Sequence, residues 1–257
     1  MLAFSQHRWL RGDPDRLELL RTTVPLATSA FSFALMSAVD TAFVTRLGVA
    51  ELAGVGLGGT LVFAVIITTG SMLRGLKICV AQAIGRGEAH DGYLGAGLRI
   101  GARATLPTIL ALIALGFATP ALLSTPESAA AARDYIWVRA LSIPMLFPLM
   151  ALREAFYGRG DTVTPLRAII AANVLNIVLN GVSVELLHWG VRGVAFTTVC
   201  AVGMQVVWLA RLQRTRGFGL REATPAHTQE LLQIGLPFAT QKLLETGAFA
   251  GIAAMIS

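Results

Sequence analysis

Seven stretches of this chain stay apolar long enough to cross a bilayer: 19–45, 51–73, 104–123, 136–156, 166–187, 191–210 and 231–257. A membrane-spanning helix takes about 20 such residues, so the pattern predicts an all-α, polytopic transmembrane bundle. The fourth stretch is the least regular. Arg139 and Arg153 bound a short clean segment that holds Pro144 and Pro148, and a span tolerates proline only where neighbouring helices resatisfy the backbone. Before the first stretch, Asp13-Pro14 reads as a helix start, a capping side chain followed by proline in the first helical position. Residues 1–18 include Arg8, Arg11, Asp13, Asp15 and Arg16 and lack a short apolar core ending in a cleavage site. They read as a cytoplasmic segment and not as a signal peptide.

The two ends of the chain repeat each other. Residues 18–28 read ELLRTTVPLAT and residues 230–240 read ELLQIGLPFAT, with identities that include Pro25 with Pro237 and Thr28 with Thr240. Six spans separate the two starts, an even number, so the repeats run parallel. Parallel six-span halves with substrate held between them are a known transporter design. On this reading residues 19–210 form a six-helix lobe, 211–229 a basic cytoplasmic linker, and 230–257 the first helix of a second lobe. The chain would then be a fragment or the product of a truncated gene.

Composition agrees. The chain is 54% hydrophobic and 14% charged, with a mean hydropathy of +0.65, where a soluble domain carries about 25% charged residues. The net charge of +6 and pI near 10.1 would suit nucleic acid if the charges formed a patch. They do not. Alternating the connections puts sixteen basic residues on one side and four (Arg46, Arg133, Arg139 and Arg192) on the other, with Lys242 inside a span. The positive-inside rule then places the N-terminus in the cytoplasm, with the chain in the inner membrane. The basic pI is a consequence of topology, and no nucleic-acid partner is implied. Cys79 and Cys200 lie far apart in apolar sequence and read as small buried hydrophobes.

Candidate chemistry is sparse. Residues 54–59, GVGLGG, match a dinucleotide fingerprint, but no strand precedes them and an uncharged helix follows. Gly54 with Gly58, and Gly97 with Gly101, instead fit the small-residue spacing that lets helices approach closely. Asp40 stands out, because an ionised aspartate at the centre of a spanning helix costs about 2.5–3.5 kcal/mol. A carboxyl that titrates in a partly dry cavity is a ready proton or sodium site; the alternative is a structural aspartate satisfied by hydroxyls or reaching outward to Arg46. Asn173, Asn176 and Asn180 fall at i, i+3 and i+7 and so share one helix face, facing a cavity or simply bonding to another helix. Thr197 and Thr198 could add hydroxyls. Glu245 lies eight residues after Pro237 and is either a functional carboxylate or the i, i+3 partner of Lys242. The turns GRGEAHDG (85–92) and GRGDTVTP (158–165) resemble each other and need no chemistry beyond turn formation. The four histidines are scattered, and no H-E-x-x-H, G-x-S-x-G or Walker motif is present. No enzyme, metal centre or organic cofactor is expected.

The stretches PLATSAFSFALMSAVDTAFVTRLGVAELAGVGLGG, VAQAIGRGE, GRGDTVTPL, NVLNIVLNG and GVAFTTV, in that order, resemble the multidrug and toxic compound extrusion (MATE) family, in its DNA-damage-inducible F branch. The resemblance implies twelve helices in two lobes, monomeric in the lipid bilayer when full length. It also implies export of drugs or amphipathic organic cations against proton or sodium entry. It makes Asp40 the cation-coupling carboxylate and Pro25 a point of bending in the first helix. Asn176 and Thr198 match the family's cation site in the first lobe, but Asn180 stands where the family's motif has aspartate. That departure removes a negative charge and favours protons over sodium. Glu245 matches a second-lobe cation residue of another branch. Rivals are a lipid or polysaccharide-precursor flippase of the same superfamily, a membrane-embedded enzyme, and an inactive truncated transporter.

Overall fold

The computed structural model describes residues 14–256. Nine α-helices follow one another among these residues: α1 Pro14–Val44, α2 Val49–Gly70, α3 Gly75–Gly85, α4 Asp91–Leu122, α5 Pro126–Ala140, α6 Ile143–Gly158, α7 Val163–Gly181, α8 Gly190–Arg214 and α9 Pro225–Ile256. A 3-10 turn, Ser71–Arg74, joins α2 to α3, and a π-turn, Val182–Leu186, ends α7. Pro14, the first described residue, is already helical; the expected cap Asp13 and the preceding tail lie outside the described residues.

Among the described residues five helices are long and apolar enough to cross a membrane, and α2, its turn and α3 count there as one 37-residue element, Val49–Gly85. A sixth span is the pair α5 and α6, bent by 56°. Bulky apolar groups such as Phe31, Leu106 and Phe117 stand 63–69% exposed on the outside. That is unfavourable in water but suits lipid as the solvent. The stretch expected as a seventh span, 231–257, falls on α9 as far as Ile256, and Ser257 lies outside the described residues. The stretch is helical over its described part but is not among the five, because Gln241, Lys242 and Glu245 interrupt its apolar run.

The fourth span differs from expectation. In place of one helix over 136–156 it starts at Pro126, where Thr125 caps the N-terminus by accepting from Ser128 N at 3.4 Å. It breaks at Leu141–Ser142. Pro144 is the cause: it has no N–H to offer Ala140, and its ring would clash with that carbonyl. The hydroxyl of Ser142 satisfies the carbonyl of Arg139 instead, at 2.7 Å.

The two similar turns share a mechanism. After α3, Gly87 at φ +70° and Glu88 close back on Ile84 and Ala83; after α6, Gly160 at φ +78° and Asp161 close back on Tyr157 and Phe156. Both are left-handed C-terminal caps, and glycine fills the position that a Cβ disfavours. The matching threonines of the two ends make the same local bond. Thr28 donates to Val24 O at 2.8 Å and Thr240 to Leu236 O at 3.1 Å, each four residues back beside the matching proline.

Packing fixes where the polar groups meet. Helix α2 lies against α5 at Gly54, where a Cβ would sit 2.5 Å from Ser128 O. Gly58 meets Ala132 O in the same way, at 3.1 Å, so the glycine pair serves close approach. Helix α1 rests chiefly on α7, and α7 in turn on α8. The stretch after α8 is anchored to α4 by Arg99, which donates to Ala223 O at 2.8 Å and to Leu220 O.

Candidate functional site

Asp40 sits near the end of α1 and is only 6% exposed. Each of its oxygens has a different donor from a different helix: Asn180 Nδ2 of α7 to Oδ1 at 2.7 Å, and Thr198 Oγ1 of α8 to Oδ2 at 2.8 Å. Three helices thus meet on one carboxyl. Hydrogen bonds to a charged group contribute about 1.5–3 kcal/mol each, which offsets much of the cost of placing the charge there. Arg46 does not take part. It pairs instead with Glu185 at 2.5 Å, both side chains more than half exposed.

The asparagine face of α7 divides its work. Asn180 and Asn176 are fully buried. Asn180 Nδ2 also reaches Asn176 Oδ1 at 3.2 Å, and Thr197 Oγ1 donates to Asn180 Oδ1 at 2.7 Å. Asn176 Nδ2 then donates to Thr197 Oγ1 at 3.3 Å. Asn173 lies a turn away and holds α1 to α7 through Ser32 O at 2.8 Å. Asn180 gives Asp40 an amide N–H. Thr198 can work either way, since its hydroxyl also lies 3.4 Å from Val194 O. If Asp40 gains a proton on Oδ2, that proton can bond Thr198 Oγ1 while the threonine turns its own hydrogen to Val194.

The structure brings together Asp40, Asn176, Asn180, Thr197 and Thr198, five of the residues that stand out in the sequence, with Thr197 as a link between the asparagines. Pro25 lies inside α1, well before this cluster. Glu245 is not part of it: its partners are Lys242 and Gln241 of its own helix, Gln241 at 2.7 Å.

A cavity of about 140 Å³ opens beside Asp40, walled by α1, α2, α5, α6 and α8. Tyr135, Arg139, Arg153 and Gln205 line it together with Thr198. Arg139 corrects the side-by-side tally of charges, which puts it on the outer connections; it faces inward from the last turn of α5. The signal for this lies in the spacing. Ser128, Ala131, Ala132 and Tyr135 form the buried face of α5 that meets α2, and Arg139 follows Tyr135 at i+4 on that face.

A multi-pass helical membrane bundle with a buried carboxyl, held by amide and hydroxyl groups of two other helices beside an internal cavity, is the class defined here. The family model MatE matches residues 25–182, more than half of the chain, and the chain belongs to that family. DETOXIFICATION 44, a chloroplastic protein of Arabidopsis thaliana, is 30% identical over 206 residues, 71% of this chain and 38% of its own length. The probable multidrug resistance protein NorM of Pseudomonas syringae pv. tomato is 26% identical over 248 residues, 90% of this chain and 53% of its own. The solved outward-facing conformation of a multidrug resistance MATE family transporter shares the fold, with a TM-score of 0.81 at 23% identity over 91% of this chain and 54% of that one. An inward-facing conformation matches with a TM-score of 0.77 at 21% identity, over 90% and 55%. The chain spans about half the length, or less, of the curated relatives it matches.

Proposed function

We propose that this chain works in secondary active antiport, exporting drugs or other amphipathic organic compounds across the inner membrane in exchange for protons. Asp40 is the coupling carboxyl. The observation that carries this reading is its position: a nearly sealed acid whose two oxygens are held by α7 and α8 at the wall of a cavity.

Because the donors belong to other helices, a change of charge on Asp40 changes how α1 packs. An ionised Asp40 draws Asn180 and Thr198 toward it. Neutralised, it loses most of the charge-assisted part of those bonds, and α1 is freer to move against α7 and α8, with Pro25 as the pivot. Asn180 turns a donor N–H toward the carboxyl, where a sodium ion would need an oxygen; that arrangement supports protons over sodium. Each proton entering through 100 mV supplies about 2.3 kcal/mol, so one or two protons sustain a useful gradient. The N-terminus faces the cytoplasm on this reading, consistent with the arginine bias.

Efflux of a drug-like dye from proteoliposomes under an imposed proton gradient tests the assignment. The wild-type chain should drive efflux, and Asp40→Asn should abolish it while inserting to the same level. Undiminished efflux by Asp40→Asn would reject the coupling role.

A further inference from the structure

Four charged side chains, Arg133, Arg139, Glu154 and Arg159, have a sealed polar atom without a hydrogen-bond partner among the described residues, and of these Arg139 lines the cavity beside Asp40. Its Nε and Nη1 are sealed from solvent and have no hydrogen-bond partner. Among the described residues no carboxylate lies within ion-pair distance of it. Native proteins rarely leave such donors unmade without a reason, and a guanidinium is a costly group to leave so. Arg139 shares its cavity with Arg153 and Asp40, so the lining carries two positive charges against one negative. Both oxygens of Asp40 are already committed to Asn180 and Thr198. Arg153 reaches only the phenol of Tyr157, at 3.4 Å.

We infer that this cavity receives the anionic head of an amphipathic substrate, a carboxylate or a phosphodiester, and that Arg139 grips it. The planar fork of a guanidinium matches two oxygens of such a group. One negative charge cancels the formal surplus of the lining. An ammonium head would meet that surplus and find the one carboxylate already occupied. Size agrees with a head and not a whole molecule: the cavity is about 140 Å³, whereas pockets that enclose a drug-sized ligand run to about 300–1,000 Å³. Met36, Val62, Phe63, Ile66 and Met150 around the guanidinium suit the first carbons of an apolar tail. This deepens the exporter reading and rests on it, and it replaces organic cations by anions or zwitterions as the substrate class.

The test is equilibrium binding to the full chain in phosphatidylcholine nanodiscs. The probes are a dansylated undecanoate, its methyl ester, and a dansylated trimethylammonium of equal length. The carboxylate should bind at least about tenfold more tightly than either counterpart. Arg139→Gln should erase that preference, and Arg139→Lys should keep part of it. Displacement of the carboxylate probe by phosphatidylglycerol would identify a lipid headgroup as the source; displacement by soluble alkyl carboxylates alone would identify a free metabolite or drug. Either result supports an oxyanion site. Preference for the trimethylammonium probe, equal binding of all three, no binding by any, or a preference that survives Arg139→Gln overturns it. If anion binding holds while Asp40→Asn still drives efflux, the coupling reading fails and the anion site stands; cation preference with Asp40-dependent efflux is the converse.

Discussion

Helices α1 and α9 share six of eleven residues over 18–28 and 230–240, carry a proline at the same place in that repeat, and each bears one acid further along, Asp40 and Glu245. Their surroundings differ in kind. Asp40 is 6% exposed and both its donors come from other helices. Glu245 is 39% exposed at its side chain, and its partners are Lys242 and Gln241, one turn back on α9 itself. A carboxyl bonded within its own helix moves with that helix, so titrating it does little to the packing. A carboxyl bonded across three helices ties their relative positions to its charge. The repeat supplies the scaffold twice, and of these two acids Asp40 is the one with cross-helix partners, which the proposed coupling needs.

The comparison is broken most severely at Asp40. Asp40→Asn keeps the shape of the side chain but removes the titrating group, and proton-driven efflux should fall to background in the proteoliposome assay. Next in size is Asn180→Asp, which sets a second carboxylate at the 2.7 Å contact now made by the amide. Two carboxylates that close resist joint ionisation, so the variant should need a cation between them. Efflux should become sodium-dependent and drop about tenfold or more without sodium, as read by comparing sodium and choline buffers. Thr198→Val is isosteric and removes one of the two donors to Asp40. A hydrogen bond to a charged group contributes about 1.5–3 kcal/mol; efflux should fall several-fold, and thermal unfolding in detergent should shift down only slightly. Smallest is Glu245→Gln. A local i, i+3 pair contributes about 0.2–0.5 kcal/mol, so stability should barely change. In the chain as folded here, efflux should stay within about twofold, inside the spread of additive, distant sites. A large loss from Glu245→Gln would show that α9 carries coupling of its own.

Much of the candidate site is legible in the amino-acid pattern. Asp40 declares itself by the cost of a charge in an apolar helix. The i, i+3, i+7 spacing of Asn173, Asn176 and Asn180 puts all three on one face, which the fold turns toward α1 and α8. Spacing cannot say that Asn173 is structural while Asn180 touches the acid, because that depends on the height at which α1 crosses α7. Arg139 is misread from the pattern for a physical reason. A charge near the end of a short, proline-rich apolar stretch looks like the start of a loop, and only the longer span from Pro126, broken at Leu141–Ser142, carries it into the bundle. The join of α2 and α3 is hidden for a related reason: Arg74 and Lys77 look like a connection, yet the 3-10 turn keeps the two helices in one continuous element.

The infrared difference spectrum between acid and alkaline states of the full chain in lipid tests the coupling role most directly. The wild type should show a carboxylic-acid carbonyl band that is absent from Asp40→Asn and displaced in Thr198→Val, since that hydroxyl is bonded to the group that titrates. A spectrum from Asp40→Asn that superposes on the wild type would mean that Asp40 does not exchange a proton, and coupling at this site would be wrong.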